Sequence, residues 1–302
     1  MTNVPIYVLQ VQIASKAPAR LAAFRAALEQ VCSEDTAFGF EIDSVDDNEV
    51  TAILKGLGEE QLVGAINRLR DFGVDCTVGA PEIAYRETVS RTVEHEHVYK
   101  NLVGPAGEFA RMILRLEPLP RGEGFLFTSE AMDATLLPEH VAGVEKGING
   151  TRKSGVAQGF PVTDVRVTLT DGAFHDQDST AATFEREAPI AFRIAMLKAG
   201  PMLLEPIMRV EVVTPEDYAG SVRGDLTSRR GKITDELERK GIQVIVALVP
   251  LGNIFGYVNS LRSMTDGRGD CSINFERYEP VPVPDDLPDP DFPGAMALRQ
   301  VG

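Results

Sequence analysis

The strongest constraint on this chain is an order of apolar periods that occurs twice. PIYVLQVQI, residues 5–13, alternates with period two and is rich in β-branched residues, which predicts a strand. In APARLAAFRAALEQVC, Leu21, Phe24, Leu28 and Val31 fall at helical spacing. FGFEIDS and EVTAILKG then predict two strands around an acidic turn, Asp43 to Asn48. GEEQLVGAINRLRDFG predicts a second helix, with Leu62, Ile66 and Leu69 on one face and Gly73 just past its end. VDCTVG closes the unit, so the order is β-α-β-β-α-β.

The same order returns near the other end. EPIMRVEVVT predicts a strand, and PEDYAGSVRGDLTSRRG a helix with Pro215 in its first turn and Gly231 at its end. KITDELERKG and IQVIVALVP predict two strands, NIFGYVNSLRSMTDGRG one helix and CSINFERY the last strand. This split βαβ order predicts two ferredoxin-like domains, repeated in pattern and not in letters.

About 120 residues between them follow another plan. IAYRETVSRTVEHEHVYKNL and EFARMILRLEPL predict two long strands joined by a Gly/Pro-containing loop, and FLFTSEA a third. PEHVAGVEKGINGTRKSG predicts a helix with Val141, Val144, Ile148 and Thr151 nearly in line. VTDVRVTLTDGAFH predicts a strand that runs into DGAFHDQDST. Asp178 or Ser179 is placed to cap a following helix, with Phe184, Ala188 and Phe192 on one face and Pro189 predicting a kink or a division into two short helices. The class is therefore α+β. The Pro- and Asp-rich end, EPVPVPDDLPDPDFPGAMALRQVG, lacks the apolar density of a core and predicts an extended or disordered appendage.

Composition narrows the function. A net charge of −15 weighs against bulk electrostatic binding to nucleic acid but leaves a local basic face open. Cys32, Cys76 and Cys271 are odd in number and far apart, which argues against a disulfide framework and for a cytoplasmic setting. No run of about eighteen apolar residues predicts a membrane span, and the N-terminus lacks the pattern of a signal peptide.

With this order in place, the letters resemble the C-terminal half of the elongation factor G family. LLEPIMRVEVVTPEDYAGSVRGDLTSRRGKI, VPLGNIFGYVNSLRSMTDGRG and FERYEPVP resemble its last domain. VGAPEIAYRET resembles the entry into its fourth domain, and GVEKGINGTRKSGVAQGFPVTDVRVTL that domain's helix and strand. DGAFHDQDS resembles the loop at that domain's distal tip. The resemblance covers residues 4 to 282 and implies three domains, III, IV and V. They are a ferredoxin-like domain over 1–81, an elongated arm over 82–202 and a second ferredoxin-like domain over 203–280, with the tail at 281–302. For the arm it implies a ribosomal-protein-like α+β fold with a left-handed βαβ unit.

The resemblance also implies a function: promoting tRNA–mRNA translocation by inserting the arm into the decoding centre. His175 matches the tip-loop histidine, and HDQDS follows the bacterial form of the loop, so no diphthamide is expected. The family's GTPase domain has no counterpart here. A phosphate-cradling loop needs Gly, four residues and Gly-Lys-Ser/Thr, whereas GDLTSRRGKI has six intervening residues and Ile233 at the hydroxyl position. GTP and magnesium would belong to that missing domain, so no cofactor, no catalytic residue and no metal is expected, and the chain is not an enzyme by itself.

Three departures from the family bear on this. The loop YKNLVGPAGEF keeps Lys100 as its only base and gains Pro105 and Glu108; GLGEEQLVGA replaces a more distinctive stretch; and Glu185 and Glu187 stand where lysine and a small residue are usual. Two versions fit: a piece of a complete factor, or a stand-alone paralogue without a GTPase.

The candidate RNA and ribosome contacts are Gly172, His175 and Asp176 in one tip loop, Lys100, Asn101, Gly104 and Gly107 in the other, and Arg223, Arg229, Arg230, Lys232, Arg262 and Arg268 in the last domain. Each has a plainer reading. His175 suits an exposed loop beside a capping residue. The second loop is a turn shaped by Gly104, Pro105 and Gly107. The arginines complement the C-terminal end of a helix dipole. His95 and His97 share one strand face, which is a start for zinc or simply an exposed face. Expected partners are the ribosome with its tRNA–mRNA, and a GTPase domain acting in trans; the chain is expected to be a monomer. The rivals are a protein-interaction module and a metal-binding hydrolase using His175, Asp176 and Asp178.

Overall fold

The computed structural model describes residues 7–15, 21–34, 38–45, 50–101, 107–132 and 135–282. The first unit runs β1 (Leu9–Ser15), α1 (Leu21–Glu34), β2 (Gly39–Val45), β3 (Val50–Gly56), α2 (Glu59–Asp71) and β4 (Thr77–Ile83). Its sheet order is β2-β3-β1-β4, antiparallel throughout. Gly73 takes φ 77 after α2, the left-handed turn that a helix C-terminus favours.

The middle unit begins with a correction. The long strand expected from Ile83 onward is two strands, β5 (Arg86–Val89) and β6 (Val93–Asn101). Between them the amides of Ser90 and Arg91 both donate to the Ala199 carbonyl, which turns the chain. β7 (Glu108–Pro118), β8 (Phe125–Ser129), α3 (Pro138–Ser154), β9 (Val165–Ala173) and α4 (Ala181–Lys198) follow. The sheet is β6-β7-β9-β8, with β8 parallel to β9 across α3. α4 runs unbroken through Pro189, so it is not two short helices. Pro189 has no N–H for the Glu185 carbonyl four residues back. Gly147 of α3 lies against that same oxygen: a Cβ there would fall 2.4 Å from it. Gly143 approaches the Ala181 carbonyl in the same way, so two glycines one turn apart let the two backbones touch.

The last unit runs β10 (Pro201–Pro215), α5 (Glu216–Ser228), β11 (Lys232–Arg239), β12 (Ile242–Pro250), α6 (Leu251–Ile254), α7 (Tyr257–Met264) and β13 (Asp270–Pro280). Its order, β11-β12-β10-β13, repeats that of the first sheet, and β5 adds to β10 at the arm's root. The expected single helix after β12 is two, because Phe255 is extended and Gly256 takes φ 67. At the end of α5 the left-handed residue is Arg230, φ 62, and not Gly231. Gly231 is needed for a different reason: a Cβ would fall 2.4 Å from the Leu226 carbonyl. Lys240 and Gly241, both at positive φ, turn β11 into β12 as a two-residue hairpin loop requires.

The three sheets share two apolar cores. One lies within the arm, around Met112, Leu114, Val167, Phe184 and Phe192. The other is continuous through both ferredoxin-like units, from Leu9, Phe24 and Leu54 to Val210, Ile245 and Leu261. Polar contacts join the same two units. The Gly256 amide donates to Glu59 at 3.3 Å, and the Tyr278 hydroxyl donates at 2.7 Å to the carbonyl of Ala84, in the link from β4 to the arm.

Candidate ribosome-contact surfaces

The connection from β9 to α4 is held by its backbone. The amides of Asp178 and Ser179 donate to the His175 carbonyl at 3.1 and 3.0 Å. The Ser179 hydroxyl accepts from the His175 amide at 2.9 Å and donates to the Phe109 carbonyl at 2.6 Å. The Phe109 amide donates to the Asp178 carbonyl at 2.8 Å. The loop is thus stitched to the start of β7, and Gly107 lies against the Asp178 carboxylate. The N-cap expected at Asp178 or Ser179 is Thr180, whose hydroxyl accepts from the Thr183 amide at 3.1 Å. Ser179 is occupied by the cross-link to β7 instead.

With the backbone fixed, the His175 side chain stands 60% exposed. Its Nδ1 faces the Asp178 carboxylate at 3.2 Å and the Gln177 amide at 3.5 Å. An Nδ1–H donating to Asp178 is the shorter of these two exclusive arrangements. Asp176 is exposed beside it. Gly172 needs correction: it is buried in β9, where a Cβ would meet Leu136 at 2.4 Å and the Arg111 carbonyl at 2.8 Å. It packs the arm and offers no contact surface. Lys100 is exposed and Asn101 half-buried at the end of β6. Gly107 is half-buried, and Gly104 and Pro105 lie outside the described residues.

A charged network supports the tip from beneath. Arg186 of α4 donates two bonds of 3.0 Å to Glu108, stands 5.1 Å from the centre of the Tyr99 ring and bonds Glu187 at 3.2 Å. These bonds hold the Glu108 carboxyl below the usual carboxylate range. Buried Glu187 also meets His97 Nε2 at 3.1 Å, and His95 meets Lys198 at 3.2 Å. The strand face carrying His95 and His97 therefore packs under α4 and is not exposed. Burial, with the Lys198 charge next, pushes the His95 pKa down. His140 of α3 is fully enclosed between Phe184 and Phe174, ring centres 4.7 and 5.0 Å away, and neither ring nitrogen has a hydrogen-bond partner. Burial pushes its pKa down as well. No group of three or more metal-capable side chains occurs among the described residues.

The second surface is the end of α5. Arg229 bonds Asp225 at 2.8 Å, the Asn253 carbonyl at 3.0 Å and Ser260 at 3.2 Å, and covers the Tyr257 ring at 5.3 Å. Arg230 pairs with Glu205 at 2.6 Å, and Arg223 with Glu236 at 2.9 Å. Arg268 bonds the Tyr218 hydroxyl, which itself donates to Asp266 at 2.8 Å. Four of the six candidate cations are thus committed within the fold. Lys232 and Arg262 are exposed. What sequence reasoning missed altogether is Glu87, a buried carboxylate at the arm's root that accepts four backbone N–H bonds. A lone Glu in IAYRETV carries no local signal for that role.

Comparison with known proteins adds to this geometry. Two family models match, described as elongation factor G, domain IV, over residues 81–200 and elongation factor G C-terminus over residues 202–286. Elongation factor G of Paracoccus denitrificans (strain Pd 1222) is 44% identical over 279 residues, which cover 92% of this chain and 39% of the relative. That of Anaplasma marginale (strain Florida) is 45% identical over 257 residues, 85% of this chain and 37% of the relative. The chain thus spans less than half the length of the curated relatives it matches. A solved structure from Thermus thermophilus superposes with a TM-score of 0.69 at 30% identity, covering 100% of this chain and 44% of that one.

Proposed function

In the stretches matched by the two family models, residues 81–200 and 202–286, the chain belongs to the elongation factor G family, and from that premise we propose that it docks on the ribosome through its arm. The observation that carries this reading is the tip. A backbone locked to β7 presents one exposed imidazole at the end of a rigid sheet-and-helix arm. Such a loop adds little ordering entropy to the cost of binding. The partners are ribosomal RNA and the tRNA–mRNA of the decoding region, and the setting is the cytoplasm. The chain acts as a monomer and contributes position, not chemistry. Nucleotide hydrolysis belongs to a part of the family's proteins that it does not match, supplied in cis or in trans. Among the described residues, no helix is long and apolar enough to cross a membrane.

Co-sedimentation with 70S ribosomes over a salt series tests this. Wild type is expected to pellet with an affinity that falls steeply with salt. Lys232→Ala/Arg262→Ala should reduce the logarithmic salt slope by about two, since each phosphate contact contributes roughly one. His175→Ala should weaken binding with little change in slope. A wild-type chain that stays in the supernatant at the lowest salt refutes the proposal. The internal pairing of Arg223, Arg229 and Arg230 supports a second reading, a protein-interaction module for a translational GTPase. In that case a GTPase domain would capture the chain without ribosomes, and the affinity would vary little with salt.

A further inference from the structure

The arm and the last ferredoxin-like unit meet at β5, and the bonding of its second residue is unusual. Glu87 stands in register with Leu203 of β10, so it belongs to the sheet of the last unit. Its own backbone reaches the other way. The Glu87 amide donates to the Pro161 carbonyl at 3.0 Å, and the Thr163 amide donates to the Glu87 carbonyl at 2.9 Å. The strand therefore joins both bodies: β5 pairs with β10, while the amide and carbonyl of Glu87 bond the arm.

Its side chain goes further into the arm. The carboxylate is 1% exposed and accepts from the amides of Val156, Ala157, Gln158 and Phe160 at 3.0, 2.9, 2.6 and 3.1 Å. Four N–H donors match the capacity of one carboxylate, about four acceptor sites. A buried charge is tolerated only when it is satisfied in this way. The donors come from the loop that follows α3. Gly155, φ 81, makes the loop's curl possible, since a Cβ there would meet the Phe160 amide at 2.3 Å. Arg193 of α4 closes the loop from the far side, bonding the Val156 carbonyl at 3.1 Å. Both arm helices thus connect, through residues 156–160, to a carboxylate borne by the neighbouring sheet.

We infer that Glu87 is a positioning residue that fixes the angle at which the arm is carried on the last unit, and hence where His175 is presented. This rests on the reading of the arm as a docking element. Thr88 adds to the same joint, its hydroxyl donating to the Asp164 carbonyl at 3.3 Å. Glu87 acts through the loop it holds.

The test uses the full chain with dyes at exposed Glu145 of α3 and Glu238 of β11, introduced through unnatural amino acids. Energy transfer between them reads the arm angle without ribosomes. In Glu87→Gln the amide group can no longer accept from all four donors. Exchange at the amides of 156, 157, 158 and 160 is expected to rise about tenfold or more, since a hydrogen bond to a charged acceptor is stronger than one to a neutral amide. Amides in the arm core should keep their protection, and the distance distribution should broaden. Glu87→Asp keeps the charge with a shorter reach, so it should broaden the distribution less and serves as the probe if Glu87→Gln does not fold. A distribution as narrow as wild type in the folded variant overturns the inference, whether or not the loop loosens. Because wild-type ribosome binding is measured separately, a failed docking proposal would show there and not in the dye distances.

Discussion

The arm tip and the end of α5 carry the two sets of candidate contact residues, and they are built in opposite ways. At the tip the backbone and one serine do the holding, which leaves the His175 side chain exposed. At the end of α5 the side chains do the holding, and Arg223, Arg229 and Arg230 are absorbed by carboxylates. The difference teaches that a cluster of arginines in sequence is not yet a positive surface. In a chain of net charge −15, carboxylates are plentiful and an arginine near one is neutralised locally. Only Lys232 and Arg262 keep the character that the cluster promised.

The largest expected effect separates the two regions most sharply. Arg229→Ala removes bonds to Asp225, Asn253 and Ser260 from a side chain only 22% exposed. It should cost about 2–3 kcal/mol in urea unfolding. Arg229→Lys should not restore it, because one ammonium cannot span those three acceptors. A neutral Arg229→Ala would mean that this end of α5 is a surface after all. Next comes Gly172→Ala at the tip, whose new Cβ would collide with Leu136. Overpacking of this kind costs about 1–3 kcal/mol. The melting temperature should fall, while ribosome binding by the folded protein stays unchanged.

Thr180→Ala should cost about 1 kcal/mol through loss of the α4 cap, and Asp178→Ala should cost less in the same melts. The reverse ranking would return the cap to Asp178. The smallest effect is confined to acid. The His140 pKa is lowered in the folded arm, so the unfolded chain takes up the proton first. Its contribution is intact above the ordinary histidine value of about 6.5 and is lost as pH falls from there toward the lowered folded value. His140→Phe should flatten this part of the stability–pH curve, while half-buried His95, whose pKa is lowered too, goes on contributing in the same direction. An unchanged curve would show that His140 does not limit the arm's acid stability.

Most of the element order, including the β-α-β-β-α-β run of each outer unit and the strand and helix that flank the tip loop, was legible in the sequence, because each depends on periods and turn residues within a few positions. Gly73 and the positive-φ turn at Lys240–Gly241 belong to the same local layer. Some misses were also local. Gly256 interrupts the helix after β12 with a residue that was visible as a glycine inside a helical pattern. Others were not. The turn between β5 and β6 is made by a carbonyl 109 residues from Ser90, and Ser179 is drawn away from capping by Phe109, 70 residues back.

By itself the sequence determined most of the strands and helices, that one order occurs twice, and which family the letters resemble. The tertiary structure alone decided which polar groups are used up. It buried Gly172 under Leu136, bound Arg229 and Arg230 into the fold and gave Glu87 four amide donors from residues 156–160. The physical reason is range. Backbone periodicity is written in neighbours, whereas the partner of a buried charge is set by whichever distant segment packing brings within about 3 Å.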